Sequence, residues 1–570
     1  MKPDTRTPIQ RALHRKQQLV TERASWVEHW REISRLQAPR SGRFAVTDRN
    51  RGEKKHNDIV DNTAIIAART LQAGMMSGMT SPARPWFRLG LADKDLTEAP
   101  AVKAWLHGTA ERLRQVFAKS NLYNVLHSMY GELGLFGTAA TVMLPDYQSV
   151  IHCYPMTVGE YAIATDSRGR VNTLMREFQM TAAQMVQQFG YERCSQAVRS
   201  SWDAGNYSAW HDVIHLIEPR EMRDAAKVDS RNMAWSSRYF EPSQTGGDFL
   251  RDAGFKRFRG LVPRWDITGN DIYGQSPGME CLGDVKQLQH QQLKKAQGID
   301  YMVNPPLQVP GSYVEHKSSR LPGGIMYADS TTSQQAIRSA FDVRLDLQHL
   351  GLDIADVRER IRASYYADLF MMLANDTRSG ITATEVAERH EEKLLMLGPV
   401  LERLHNELLG PCIDMAFDSC VEAGIVDRPP PEIQDLDLEV EYISTLAQAQ
   451  KLVAAQGADR LVTAVANIAS AKQDPSVWDK VDTDQVIDDY SDMIGVNPRW
   501  IVGDEQVAQL RNERAKAQAA QMAQAAAESA AKSAAQAAKV PTQGGGSNMA
   551  ADVLNMFQGY GTSALEVAAQ

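Results

Sequence analysis

Cysteine is scarce, with 5 in 570 residues and none in a CxxC pair or a metal-binding spacing. That excludes a disulfide-stapled scaffold and a thiolate zinc site, and it fits a reducing compartment. Long apolar runs are lacking as well. The most apolar stretch, Thr63 to Thr80, contains Arg69, Gly74 and Gly78, a mixture that argues against a membrane span. MKPDTRTPIQRALHRKQQ at the start has no apolar core and does not read as a signal peptide. The N-x-S/T matches at Asn206 and Asn375 therefore carry no meaning for glycosylation.

The motifs of common catalysts are missing too. There is no GxxxxGK[ST] to cradle a phosphate and no HExxH. DTDQVIDDYSD (482–492) clusters carboxylates without the glycine and closing glutamate of a calcium loop, and reads as a solvated acidic face. His290, His316 and His390 stand alone. Cys412 and Cys420 lie eight apart on one helical stretch and read as core residues. GQSPG (274–278) does match the G-x-S-x-G elbow of α/β-hydrolases. That elbow needs the backbone N–H after the serine for its oxyanion hole, and Pro277 has none. The segment reads instead as a turn leading into a helix. No enzymatic chemistry, cofactor or metal is expected.

Charge is present but uneven. The net charge is −8, which excludes a generic nucleic-acid binder. Residues 1–60 hold 14 Lys/Arg against 7 Asp/Glu, whereas Pro429 to Glu505 hold 15 Asp/Glu against 5 Lys/Arg. Two regions so different are expected to meet different surroundings.

Helical periodicity covers about 8–38, 58–79, 99–118 and 122–136. From Thr138 to Phe178 short apolar runs alternate with turns, DSRGR among them, and predict an antiparallel sheet with further strands near 211–219 and 231–241. Residues 278–303 form a long, mostly polar helix of roughly 37 Å. NPPLQVPGSYVEHKSSRLPGGIMYAD then breaks the periodicity, with PLQVP and GIMYA as strand candidates. Asp353 to Ala374 is helical again, for ~33 Å. RSGITATEVAERHEEK (378–393) puts a small loop before a helix capped by Thr382 and Glu385 at capping-box spacing. The helix beyond it, reaching about Ala423, should bend at Gly398-Pro399 and Gly410-Pro411. PPPE (429–432) reads as a boundary before an acidic, mostly helical unit over 436–500. Residues 515–538 hold 14 Ala in 24, and GGGS (544–547) precedes a short tail. The whole is a mainly α chain with smaller antiparallel β elements (α+β).

In order, these pieces resemble the portal, or head-to-tail connecting, proteins of short-tailed bacteriophages (podoviruses). The likeness is carried by AARTLQAGMMSGMTSPARPWFRL (67–89), LYNVLHSMYGELGLFGTAATVM (122–143), PRWDITGNDIYGQSPGMECLGDVKQLQ (263–289), RIRASYYADLFMML (360–373) and ITATEVAERHEEKLLMLGPVLERL (381–404). It spans about residues 10–425. The resemblance implies a non-enzymatic ring of about twelve subunits at one capsid vertex, through which a separate terminase drives double-stranded DNA. It implies a wing over 1–265 and 384–424, stem helices within 266–303 and 342–374, and a clip at 304–341. A tunnel loop would lie at 375–383 and a crown at 425–505, followed by an Ala-rich helix (506–540, a possible barrel) and a tail (541–570).

By the same resemblance Asn375, Asp376, Thr377, Arg378, Ser379 and Gly380 would face DNA. Lys294 and Lys295 near the stem tip would be further channel cations, with solvated stem surface as the alternative. Tyr313, Glu315, His316 and Lys317 of the clip would meet terminase and tail adaptors. Capsid and scaffolding proteins complete the implied partners. The implied location is the virion, with assembly in the bacterial cytoplasm. The competing reading is a cellular helical scaffold with no DNA path.

Overall fold

The protein, seen in a computed structural model, is described over residues 6–48, 52, 58–93, 96–97, 99–220, 222–224, 226–227, 229–244, 248–310, 319–328, 338–340, 346–375, 396–434, 436–443, 462–471, 481, 485–486 and 504–537. It divides into two units, Met1–Val462 and Thr463–Gln570.

The first unit opens with helix α1 (Pro8–Gln37). Thr7 and Gln10 form a capping box there, each side chain bonding the other's backbone N–H at 3.2 and 3.0 Å. Helices α2 (Thr63–Met79), α3 (Pro100–Lys119) and α4 (Leu122–Phe136) build the main core. Helix α4 buries its apolar residues in that core and leaves Asn124, His127 and Ser128 exposed.

Two antiparallel sheets follow. Strand β2 (Ala140–Asp146) is central in the smaller sheet and pairs with β3 (Val150–Met156) on one side and β9 (Gly260–Leu261) on the other. Strands β4 (Tyr161–Thr165), β5 (Val171–Thr181), β6 (Trp210–Pro219), β7 (Trp235–Phe240) and β8 (Arg251–Phe255) lie in that order in the larger sheet. Ala12 and Leu19 of α1 join Ala162, Met175, Ile214, Leu216 and Phe240 in one apolar cluster. A second cluster holds α5 (Ala182–Phe189) and α6 (Gln196–Asp203) against Met180, Val213 and Tyr239.

The rod-forming stretch begins with Ser276. Its hydroxyl accepts Met279 N–H at 3.1 Å and donates to Leu135 O at 2.8 Å, and it is fully buried. It caps the single turn α7 (Pro277–Glu280) and offers no nucleophile. Helix α8 (Leu282–Val303) leads to a small sheet of β10 (Leu307–Pro310), β11 (Ile325–Ala328) and β12 (Arg338–Ser339), in which β10 and β11 run parallel. The chain returns through α9 (Leu347–Ser364) and α10 (Ala367–Asn375).

Three expectations are corrected. The helix expected over 353–374 starts earlier, at Leu347, and breaks at Tyr365–Tyr366, where Tyr366 adopts φ +52°. The last described helix of this unit, α11 (396–422), runs α-helically through Gly398-Pro399. Near Gly410-Pro411 it becomes π-helical over His405–Leu409, which spreads the loss of Pro411's N–H across a wider turn. Beyond the PPPE segment the chain is not yet a separate helical unit. Ile433 is buried in the main core, and β13 (Leu438–Tyr442) pairs antiparallel with β1 (Phe87–Leu91).

In the second unit, helix is described over 463–471 and in α12 (Asp504–Ala537).

Candidate functional site

Helices α8 and α9 pack along each other and are bolted to the segment before α2 by one carboxylate. Asp61 Oδ2 accepts from Arg358 Nε at 3.0 Å, from a second Arg358 nitrogen at 2.7 Å, and from Gln292 Nε2 at 3.0 Å. Its Oδ1 accepts from the Thr63 amide and hydroxyl at 2.9 and 2.5 Å. Gln289 of α8 bonds the backbone on either side, accepting from Val60 N and Asp61 N at 2.7 and 2.9 Å and donating to Asp61 O at 2.7 Å. Burial alone would raise the Asp61 pKa. The hydrogen bonds from Thr63 and Arg358 outweigh it and hold the carboxyl below its ordinary range.

A second joint lies at the break between α9 and α10. The Tyr365 hydroxyl is buried, and burial pushes its pKa well up, so it stays protonated and donates to Gln37 Oε1. Gln37 Nε2 in turn donates to Gly278 O at 2.9 Å. A Cβ on Gly278 would stand 2.7 Å from Leu135 O and 2.8 Å from the Tyr365 hydroxyl, so only glycine fits. Past the break, Phe370 of α10 packs directly on Gly74 of α2, where a Cβ would come within 2.1 Å of its ring. The mount that leads into residue 375 is therefore packed tightly on α2.

The π turn in α11 has a comparable partner. Arg264 is buried, and its guanidinium meets Glu407 at 2.6 Å and the Gly169 carbonyl at 2.8 Å. The Glu407 carboxylate also accepts the Arg264 amide at 2.9 Å.

Toward its far end the rod is bare. The buried residues of α8 are Leu282, Val285, Leu288 and Gln289. Beyond them Leu293 is 45% exposed, Met302 42% and Val303 79%. Leu307, Leu321 and Ile325 at the tip and Leu352 on α9 are exposed too. A polar helix carrying such apolar groups has more surface to bury than one chain supplies.

The predicted site residues are distributed as follows. Lys294 is exposed on α8, with Nζ 3.3 Å from Gln297 Oε1, and Lys295 beside it is half-buried. Asn375 ends α10. Asp376, Thr377, Arg378, Ser379 and Gly380 lie outside the described residues, as do Tyr313, Glu315, His316 and Lys317. Among the described residues no group of His, Cys, Asp and Glu is placed to hold a metal, and no helix is long and apolar enough to cross a membrane.

Sequence reasoning missed the Asp61–Gln289–Arg358 joint and the Gln37–Tyr365 bond. The one local signal was Asp-Asn-Thr (61–63) before an apolar run, a helix-start pattern.

Residues 9–502 match the family described as bacteriophage head to tail connecting protein. A curated relative described as a probable portal protein, from Bordetella phage BPP-1, is 55% identical over 543 residues, covering 95% of this chain and 97% of its own. The chain belongs to the bacteriophage head-to-tail connecting proteins. A portal protein of Salmonella phage epsilon15 is 44% identical over 517 residues, covering 90% of this chain and 93% of its own. Among solved structures, a chain from the neck of an empty gene transfer agent particle aligns at TM-score 0.32 and 12% identity, covering 75% of this chain and 93% of its own. As a head-to-tail connector the chain is a structural part of a phage particle and not an enzyme.

Proposed function

We propose that copies of this connector close into a ring of about twelve subunits at one capsid vertex and enclose a channel for double-stranded DNA, during both packaging and ejection. The observation that carries this reading is the rod of α8 and α9, whose far half leaves Leu293, Met302, Val303 and Leu352 in water. Identical neighbours set side by side would cover them. In this reading α8, α9 and α10 form the stem, the β10–β12 sheet belongs to the clip, and residues 1–265 and 384–424 form the wing. The crown begins beyond β13, and the Ala-rich α12 is suited to close self-packing.

Residues 375–383 form the tunnel loop. Arg378, repeated around the ring beside Asp376, supplies spaced and weak phosphate contacts. A strongly basic bore would hold DNA, because each neutralised phosphate adds salt-dependent affinity. Lys294 and Lys295 add cations nearer the tip. Tyr313, Glu315, His316 and Lys317 dock the terminase and later a tail adaptor, and the wing meets capsid and scaffolding proteins. The ring assembles in the host cytoplasm and stays in the virion.

Arg378→Glu tests the loop. Rings of normal mass that package or retain less DNA are the expected result. Unchanged packaging in intact particles contradicts the loop's role.

A further inference from the structure

Between residues 43–46, which follow α1, and strands β4 to β6 lies a cavity of about 370 Å³. Three arginines line it, Arg23, Arg43 and Arg176, together with Glu160, Glu177 and the ring of Phe178. Most of these groups are already engaged. Arg23 donates to Gly159 O at 3.0 Å and to Tyr161 O. Arg43 pairs with Glu160 at 2.5 Å, and Lys16 pairs with Glu177.

Arg176 differs. Its guanidinium sits 4.3 Å from the Phe178 ring centroid and 5.9 Å from that of Tyr154, and its buried Nε has no hydrogen-bond acceptor. No carboxylate among the described residues forms an ion pair with it. Arginine stays charged and carries five donors. Leaving a buried donor without an acceptor is destabilising, so a partner from outside the chain has something to gain here.

The charge of the lining says which kind. Arg43 and Glu160 cancel as a pair, as do Lys16 and Glu177, and Arg23 donates to two carbonyls, so Arg176 is the lining guanidinium left with neither a counter-charge nor an acceptor. A single carboxylate balances that. A phosphate dianion or a polyphosphate backbone would lie against Glu160 and Glu177 and be repelled by them. The chain itself has acidic groups in excess, 70 against 62 basic ones, and an adjacent copy in a ring can supply one.

We propose that this cavity receives an aspartate or glutamate side chain from an adjacent copy of the chain, which pairs with Arg176. The site is incomplete in one subunit and is completed at a wing-to-wing contact. Planar carboxylate recognition suits guanidinium geometry, with two parallel N–H···O bonds and an aromatic ring beneath the plane. This inference rests on the ring reading.

The test uses the full chain. Wild type, Arg176→Gln and Arg176→Lys are compared by native mass spectrometry across a concentration series, with thermal unfolding of the single chains as a control for folding. Arg176→Gln is expected to raise the concentration for half-assembly about tenfold or more, with Arg176→Lys between it and wild type and unfolding unchanged. Wild-type rings matched by equal assembly of Arg176→Gln overturn the proposal and leave the ring reading standing. Wild-type chains that never form rings overturn both. Should Arg176→Gln fail to fold, a side-chain-resolution map of the wild-type ring decides. A neighbour's carboxylate within hydrogen-bond distance of Arg176 supports the proposal, and water, phosphate or the same chain's own groups there overturn it.

Discussion

Arg358 on the returning helix of the rod donates twice to one oxygen of Asp61, at 3.0 and 2.7 Å, while Thr63 occupies the other oxygen. A rod that must keep its orientation against neighbours is thus fixed to the body by a directional joint in addition to apolar packing. Asp61→Ala strands the Thr63 amide and both polar arms of α8 and α9. It should cost about 2–3 kcal/mol, and Arg358→Ala about 1, because Arg358 is part-exposed and Asp61 would keep Thr63 and Gln292. Denaturant midpoints at constant m-value measure both. Because the folded-state pKa of Asp61 is lowered, its share of stability is present above the ordinary aspartate value near ~3.9 and lost as pH falls through the folded value.

Gly74→Ala reverses the usual sign of a helical glycine replacement. Alanine in an exposed helix gains up to about 1 kcal/mol over glycine. Here the new methyl collides with the Phe370 ring, and overpacking should destabilise by about 1–3 kcal/mol. Phe370→Leu in the same chain should restore part of the loss. Additive penalties in the double-mutant cycle would show that the two residues do not press on each other.

Glu132 of α4 holds the turn at 157–160, accepting from the Thr157 hydroxyl at 2.8 Å and from Val158 N at 3.3 Å. Desolvation among dense protein atoms, reinforced by Glu160 nearby, pushes its pKa up to about 7. An acid raised this way stabilises the fold while protonated, and that stability is lost as pH rises from its unfolded value to about 7. Part of the residue's surface reaches solvent, which reduces the effect. Glu132→Gln should be more stable than wild type by about 1–2 kcal/mol at pH 8 and nearly equal to it at pH 4. A pH-independent difference in thermal unfolding contradicts this.

Val150, a β-branched residue, closes the β2–β3 hairpin at φ +67°. That backbone conformation strains any side chain with a Cβ. Val150→Gly should therefore be more stable than Val150→Ala by about 1 kcal/mol, the opposite of the order in an ordinary strand. Chemical denaturation of the two variants side by side decides it.

How much of this was legible in the sequence depends on the range of the deciding interaction. The helices expected at 99–118 and 122–136 appear at Pro100–Lys119 and Leu122–Phe136, since periodicity and local capping set them. PLQVP and GIMYA are strands, as their turn-bounded apolar runs indicate. The break at Tyr365–Tyr366 was not legible, and the Tyr365 hydroxyl there bonds Gln37 in a distant helix. Pairing of Phe87 with Tyr442 across most of the first unit leaves no local trace either, and it moved the expected boundary at PPPE further along the chain. Gln289 looks like one more polar residue on a polar helix, and only the fold reveals that it is buried and bonded three times.

The most direct test of the central claim is electron-microscopic imaging of the purified full-length chain, with class averages viewed down the symmetry axis. The account predicts closed rings with a central hole wide enough for duplex DNA and with the α8–α9 rods lining it. Single folded chains at every concentration, even with capsid scaffolding present, would contradict it.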